Sequence, residues 1–154
     1  MSSEVKEGKK EKEVTPEAFL ERLKNVTTPD DIFEFFEDLW SLVMDTMNKA
    51  NADAGAKAQA TLFMGLLSGR FYILLDAYKV ALDYDFIYKD DLHDKIEDVL
   101  KKLIEVYDYL KKGGSLRKAT DTIAWTSISA EHSVKDFMYH LARTIDDLSP
   151  RPYW

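Results

Sequence analysis

The chain has 154 residues, of which 45% are hydrophobic and 12% aromatic, which is enough apolar material for one domain with a real core. It has no cysteine, so disulfides, zinc-thiolate sites and cysteine-held iron-sulfur clusters are excluded. Its net charge of −7 argues against broad non-specific binding to DNA, and any nucleic-acid contact has to be local or shared with a more basic partner.

Residues 1–14 alternate Lys with Glu and hold too little apolar surface to bury, which predicts a disordered polar tail. Thr15-Pro16-Glu17 and Thr28-Pro29-Asp30 each offer an N-cap, a proline at the first helical position and a first-turn acid. They open a short helix and a longer one, the second running to about Ala50 with Ile32, Phe33, Phe36, Leu39, Trp40, Val43 and Met47 on a broad apolar face. A third helix, about Ala56 to Leu82, is apolar nearly all round apart from Arg70, Asp76 and Lys79, and is expected to be the buried central helix.

Tyr84 to Lys89 is aromatic, but a lone strand would have nothing to pair with, so it is expected to be a loop. From Asp91 the positions Leu92, Ile96, Val99, Leu103, Tyr107 and Leu110 keep helical spacing, with Glu97–Lys101 and Asp98–Lys102 as outward i, i+4 pairs. Residues 116–148 predict two helices jointed at the polar, β-branched stretch Thr126 to Ser129. Ser149-Pro150-Arg151-Pro152 ends helicity and leaves Tyr153-Trp154 in an extended tail. The fold expected is therefore all-α, a single compact domain over 15–148 with five to seven helices around a buried central one. No hydrophobic signal region opens the chain, and its most apolar stretch, Ala58 to Gly69, is about 12 residues against the roughly 20 that span a bilayer. A soluble, cytoplasmic protein is expected.

Against the acidic background, Lys111, Lys112, Arg117 and Lys118 surround one helix break at Gly113-Gly114. The lysine pair closes a helix, where cations compensate the macrodipole, and Gly113 is a natural left-handed stop. Ser115 is a good N-cap, which places Arg117 and Lys118 in a first turn, where positive charge opposes the dipole by about 0.3–1 kcal/mol each. A phosphate over that helix start would meet free backbone donors and two cations; a plain charged surface fits as well.

Catalytic signals are weak. His132, Asp136 and His140 share a helical face, but the two histidines stand about 12 Å apart along the axis, too far to bridge one ion. His93 sits among acids on an exposed face. The doublets Asp30-Asp31, Asp90-Asp91 and Asp146-Asp147 lie at or near helix ends, and two of the three are capping or first-turn acids. With no phosphate loop, nucleophile elbow or Cys-His pair, the chain is expected to be non-catalytic, without a metal site or cofactor of its own.

The third helix opens Ala56-Lys57-Ala58-Gln59-Ala60-Thr61-Leu62-Phe63, with Lys57 and Gln59 before a Leu-Phe step expected to be buried. This opening resembles the C-terminal domain of eukaryotic-type primase large subunits, an all-helical module in which a small residue, Arg, any residue, Gln and then Leu-Phe begin a helix. Here Lys57 stands for the Arg, keeping a point charge without bidentate geometry. Leu116-Arg117-Lys118 resembles a later basic motif of that family, at longer spacing. The family holds an iron-sulfur cluster on four cysteines, which this chain lacks. It is therefore more similar to the cluster-free relatives of that domain, the PriX family of third, non-catalytic subunits of some archaeal primases.

The resemblance covers about residues 50 to 120. It implies a subunit that assists primer initiation beside the catalytic small subunit and the large subunit, holding an initiating nucleotide and single-stranded template. The phosphate-binding residues it implies are Lys57 and Arg117, supported by Lys118 and Arg70, with Tyr72 stacking on a base. Arg70 in a salt bridge to Asp76 or another acid, and Tyr72 in plain core packing, are the competing readings. Two other functions fit the chain: a helical interaction subunit of a nucleoprotein complex, such as a CRISPR effector small subunit, and an acidic viral or accessory inhibitor.

Overall fold

Two Thr-Pro pairs start the bundle. In a computed structural model of the chain, which describes residues 15–148 and their side chains as far as Arg143, Thr15 and Thr28 lie in extended backbone. Their hydroxyl oxygens accept the N–H groups of Ala18 and Asp31, each at 3.1 Å. They begin α1 (Pro16–Leu23) and α2 (Pro29–Lys49), with the prolines at positions whose N–H is not needed. Asp53 caps α3 (Ala54–Asp83) by accepting from Ala56 N–H at 2.7 Å. After a short link, in which Asp85 takes a φ of 51°, come α4 (Lys89–Lys111) and α5 (Leu116–Leu148). The described residues are thus all-α, with no strand. The expected tails at 1–14 and 149–154 lie outside them.

From α2 onward the helices alternate in direction. Phe36 of α2 stacks on Phe71 of α3 with ring centroids 4.0 Å apart, and the Tyr78 ring packs beside His93 across the α3–α4 turn. Phe19 brings α1 edge-on to both Phe35 and Tyr107. The amphipathic α4 touches all four other helices, while α3 and α5, which run parallel, share the most extensive pairing. One core results, centred on fully buried Phe35, Phe36, Leu39, Met64, Leu67, Phe71, Leu74 and Ile96.

Three expectations fail for identifiable reasons. Residues 116–148 form one helix: Thr120, Thr122, Thr126 and Ser133 each donate to the carbonyl four residues back, so their hydroxyls are satisfied inside the helix. Ser127 is buried and serves as an acceptor for α3, so the polar stretch is a tertiary contact and not a joint. Second, α3 is not buried all round: Leu62 is 73% exposed, Ile73 52% and Leu66 44%, so the Leu-Phe step after Gln59 begins with an outward leucine. α3 is also long and apolar enough, by length and composition, to cross a membrane, and its most apolar window is only one-third buried in the bundle. Third, Lys102 pairs with Glu105 at 3.3 Å in place of Asp98, whereas Lys101 does reach Glu97, at 4.0 Å.

Candidate functional site

The break between α4 and α5 is built as a reciprocal cap. Gly113 takes a φ of 87°, the left-handed stop expected, and the N–H groups of Gly113 and Gly114 return to the carbonyls of Leu110 and Tyr109 at 3.1 and 2.9 Å. The Tyr109 ring lies against Gly114 so closely that a Cβ there would sit 2.5 Å from it, and its hydroxyl accepts the Ser115 N–H at 3.1 Å. Ser115 Oγ in turn accepts from Lys118 N–H at 3.2 Å, which makes it the N-cap of α5.

The lysine pair is spoken for within the fold. Lys112 Nζ lies 2.9 Å from Asp108, which raises its pKa through a hydrogen bond, and Lys111 Nζ stands 5.3 Å over the Tyr107 ring. Arg117 and Lys118 are exposed and, among the described residues, have no ion pair. Lys118 lines a cleft of about 290 Å³ between α4 and α5, together with Glu105, Val106, Tyr109 and Thr122.

Because direction alternates, the starts of α3 and α5 lie at the same end of the bundle. Their side chains nevertheless have different neighbours: Lys57 Nζ donates to the Asn48 carbonyl at 2.7 Å, near the C-terminal end of α2, while Lys118 faces α4. Arg70 donates to Ser127 Oγ and meets Glu131, each at 2.7 Å. Its guanidinium therefore ties α3 to α5, the acid being Glu131 and not Asp76. The Tyr72 hydroxyl donates to Glu37, and its ring packs against Phe33, Phe36 and Phe71. Burial, and then the Glu37 contact, pushes its pKa up to about 12. Of the five residues implied for nucleotide binding, Arg70 and Tyr72 are therefore engaged in packing, Lys57 is on a backbone carbonyl, and Arg117 and Lys118 stand available.

Two surfaces escape the sequence reading. Trp125 is 71% exposed in an α4–α5 groove of about 590 Å³ that also presents Lys95, Lys101 and Lys102. It lies beside the stretch that reads as a joint, so the sequence assigns it no face. The other is the outer face of α3, where Ala58, Leu62, Gly65, Leu66, Gly69 and Ile73 are all exposed. Between Lys57 and Asp76 the sequence has one charge, Arg70, and that is turned inward. The signal for this face is a run of small and apolar residues at i, i+4 and i, i+7 spacing, masked by the apolar composition of the whole helix.

The histidines have packing partners: His140 stacks on Tyr88 at 4.5 Å, and half-buried His93 lies 3.8 Å from Glu97. Among the described residues no three His, Asp or Glu side chains are grouped as a metal site. No protein-family model, curated protein or solved structure matches the chain.

Proposed function

We propose that the chain is a non-catalytic helical subunit of a larger assembly and that the outer face of α3 is its assembly surface. The observation that carries this is the exposure of Leu62, Leu66 and Ile73 together along one uncharged helical face. Covering that face removes apolar area from water at about 25 cal/mol per Å². Sizing a native extract tests it: the chain should travel in a particle larger than its own 17.8 kDa, and Leu66→Glu should return it to that size with unchanged helical circular dichroism. Migration of both forms at the size of the single chain would refute it.

A nucleic-acid-associated role, including assistance to primer initiation by a primase, is the second reading. It is supported by Arg117 and Lys118 at the start of α5 and by exposed Trp125, which shares the α4–α5 groove with Lys95, Lys101 and Lys102 as well as Asp98 and Glu105, an aromatic face and cations of the kind that suit a base and its phosphate. On this reading Trp125 replaces Tyr72 as the stacking residue. With reconstituted primase, Arg117→Ala or Trp125→Ala should lower initiation more than extension of a supplied primer; equal loss of both steps would count against it.

A further inference from the structure

The outer face of α3 complements itself. The large residues Leu62, Leu66 and Ile73 share it with Gly65 and Gly69. A Cβ at either glycine would meet nothing within 4 Å, so neither is needed for packing inside the chain. Glycine within a helix costs about 1 kcal/mol relative to alanine, and the fold receives nothing visible in return. Turned about a two-fold axis between positions 67 and 68, the face sets Leu62 against Ile73 of the second copy, and Leu66 over the gap at Gly69 of the second copy. Each large residue thus meets a large residue at the ends or a glycine at the centre. That is the self-complementarity an isologous contact requires.

Charge selects the same direction. The uncharged stretch is bounded by Lys57 at one end and by Asp76 at the other, and Asp76 is 74% exposed with only a 3.9 Å contact to Lys79. Lys57 is held on the Asn48 carbonyl and takes no part; an antiparallel pair separates the two Asp76 side chains and sets each opposite exposed, uncharged Gln59 of the other copy, whereas a parallel pair would set Asp76 against Asp76. Resting on the assembly reading above, we propose that α3 pairs antiparallel with α3 of a second copy, crossing at Leu66 and Gly69. From Ala58 to Ile73 the face is about 22 Å long at 1.5 Å per residue. One helix pair of that length covers less than the roughly 800 Å² per partner of a standard stable interface, so the dimer forms at concentrations on the order of micromolar.

Because the chain has no cysteine, disulfide mapping is unambiguous. Leu62→Cys and Ile73→Cys proteins, mixed in equal amounts at about 50–100 µM, a range that populates so weak an interface, and then oxidised, should give the mixed disulfide as the dominant dimer over either homodimer, since only that pair is brought within bonding distance. Adding Leu66→Glu to both should abolish it while circular dichroism stays unchanged. Dominant linkage of two Leu62→Cys chains to each other would overturn the antiparallel pairing, and absence of any disulfide dimer would overturn self-pairing. A chain that stays monomeric and cosediments with lipid vesicles in a Leu66-dependent way would also overturn self-pairing and the assembly reading with it. A monomeric chain still found in a large native particle would overturn self-pairing alone.

Discussion

Arg70 of α3 and Glu131 of α5 stand 2.7 Å apart, with Arg70 also donating to the buried hydroxyl of Ser127. This pair joins the two helices with the most extensive contact in the bundle. Arg70→Met should lower the melting temperature by a few degrees, on the order of 2–4 °C for about 1 kcal/mol in a chain of this size, since the exposed part of the pair is screened while Ser127 loses its donor. Lys135 and then Arg70 hold Glu131 below the ordinary carboxylate range. Its stabilisation is therefore present above that range and lost as pH falls through the lowered value. Glu131→Gln should flatten the acid limb of stability measured by thermal melts between about pH 6 and 3.

Tyr72 provides the opposite sign. Its folded pKa of about 12 lies above the ordinary 10.0, so the unfolded chain loses that proton first and stability falls as pH rises from about 10 to 12. Tyrosinate absorbance should show one late-titrating group missing in Tyr72→Phe. Because burial is the larger cause, Glu37→Gln should bring that group only part of the way back.

Gly114 is constrained by the Tyr109 ring and Gly113 by its backbone. Gly114→Ala must displace a ring whose hydroxyl accepts the Ser115 N–H, with an expected loss of about 1–3 kcal/mol as for other overpacked sites. Gly113→Ala meets open space but a left-handed φ, at a cost of about 1–2 kcal/mol. Urea denaturation of the two variants checks both values.

Arg117 is exposed in the first turn of α5, where a cation opposes the helix dipole. Arg117→Glu should stabilise the free protein by about 0.3–1 kcal/mol, read as a raised urea midpoint, while weakening any phosphate-bearing ligand. A variant less stable than the parent would show that Arg117 has a structural partner.

Local signals are legible in the sequence. Thr15, Thr28, Ser115 and Gly113 do what their residue types predict, because a cap or a left-handed stop is decided within three or four residues. What fails is decided at longer range. Thr126 and Ser127 read as a breaker until α3 supplies Arg70, and the polarity of the stretch is then what the contact needs. The same limit governs α3, whose composition cannot say which apolar residues face inward; the packing of α2, α4 and α5 covers Met64, Leu67 and Phe71 and leaves Leu62, Leu66 and Ile73 outside. The family resemblance points to Arg70 and Tyr72 for a ligand, and the bundle engages both through partners distant in sequence, Glu131 and Glu37.

The most direct measurement of the central claim is sedimentation equilibrium of the purified chain and of Leu66→Glu at low and high salt. Apolar pairing of chains that each carry −7 should tighten as screening rises, so the wild type should approach twice its 17.8 kDa, more fully at high salt, while Leu66→Glu stays at the monomer mass. A wild type that remains monomeric across the micromolar range, or a Leu66→Glu variant that associates as well as its parent, would contradict the account.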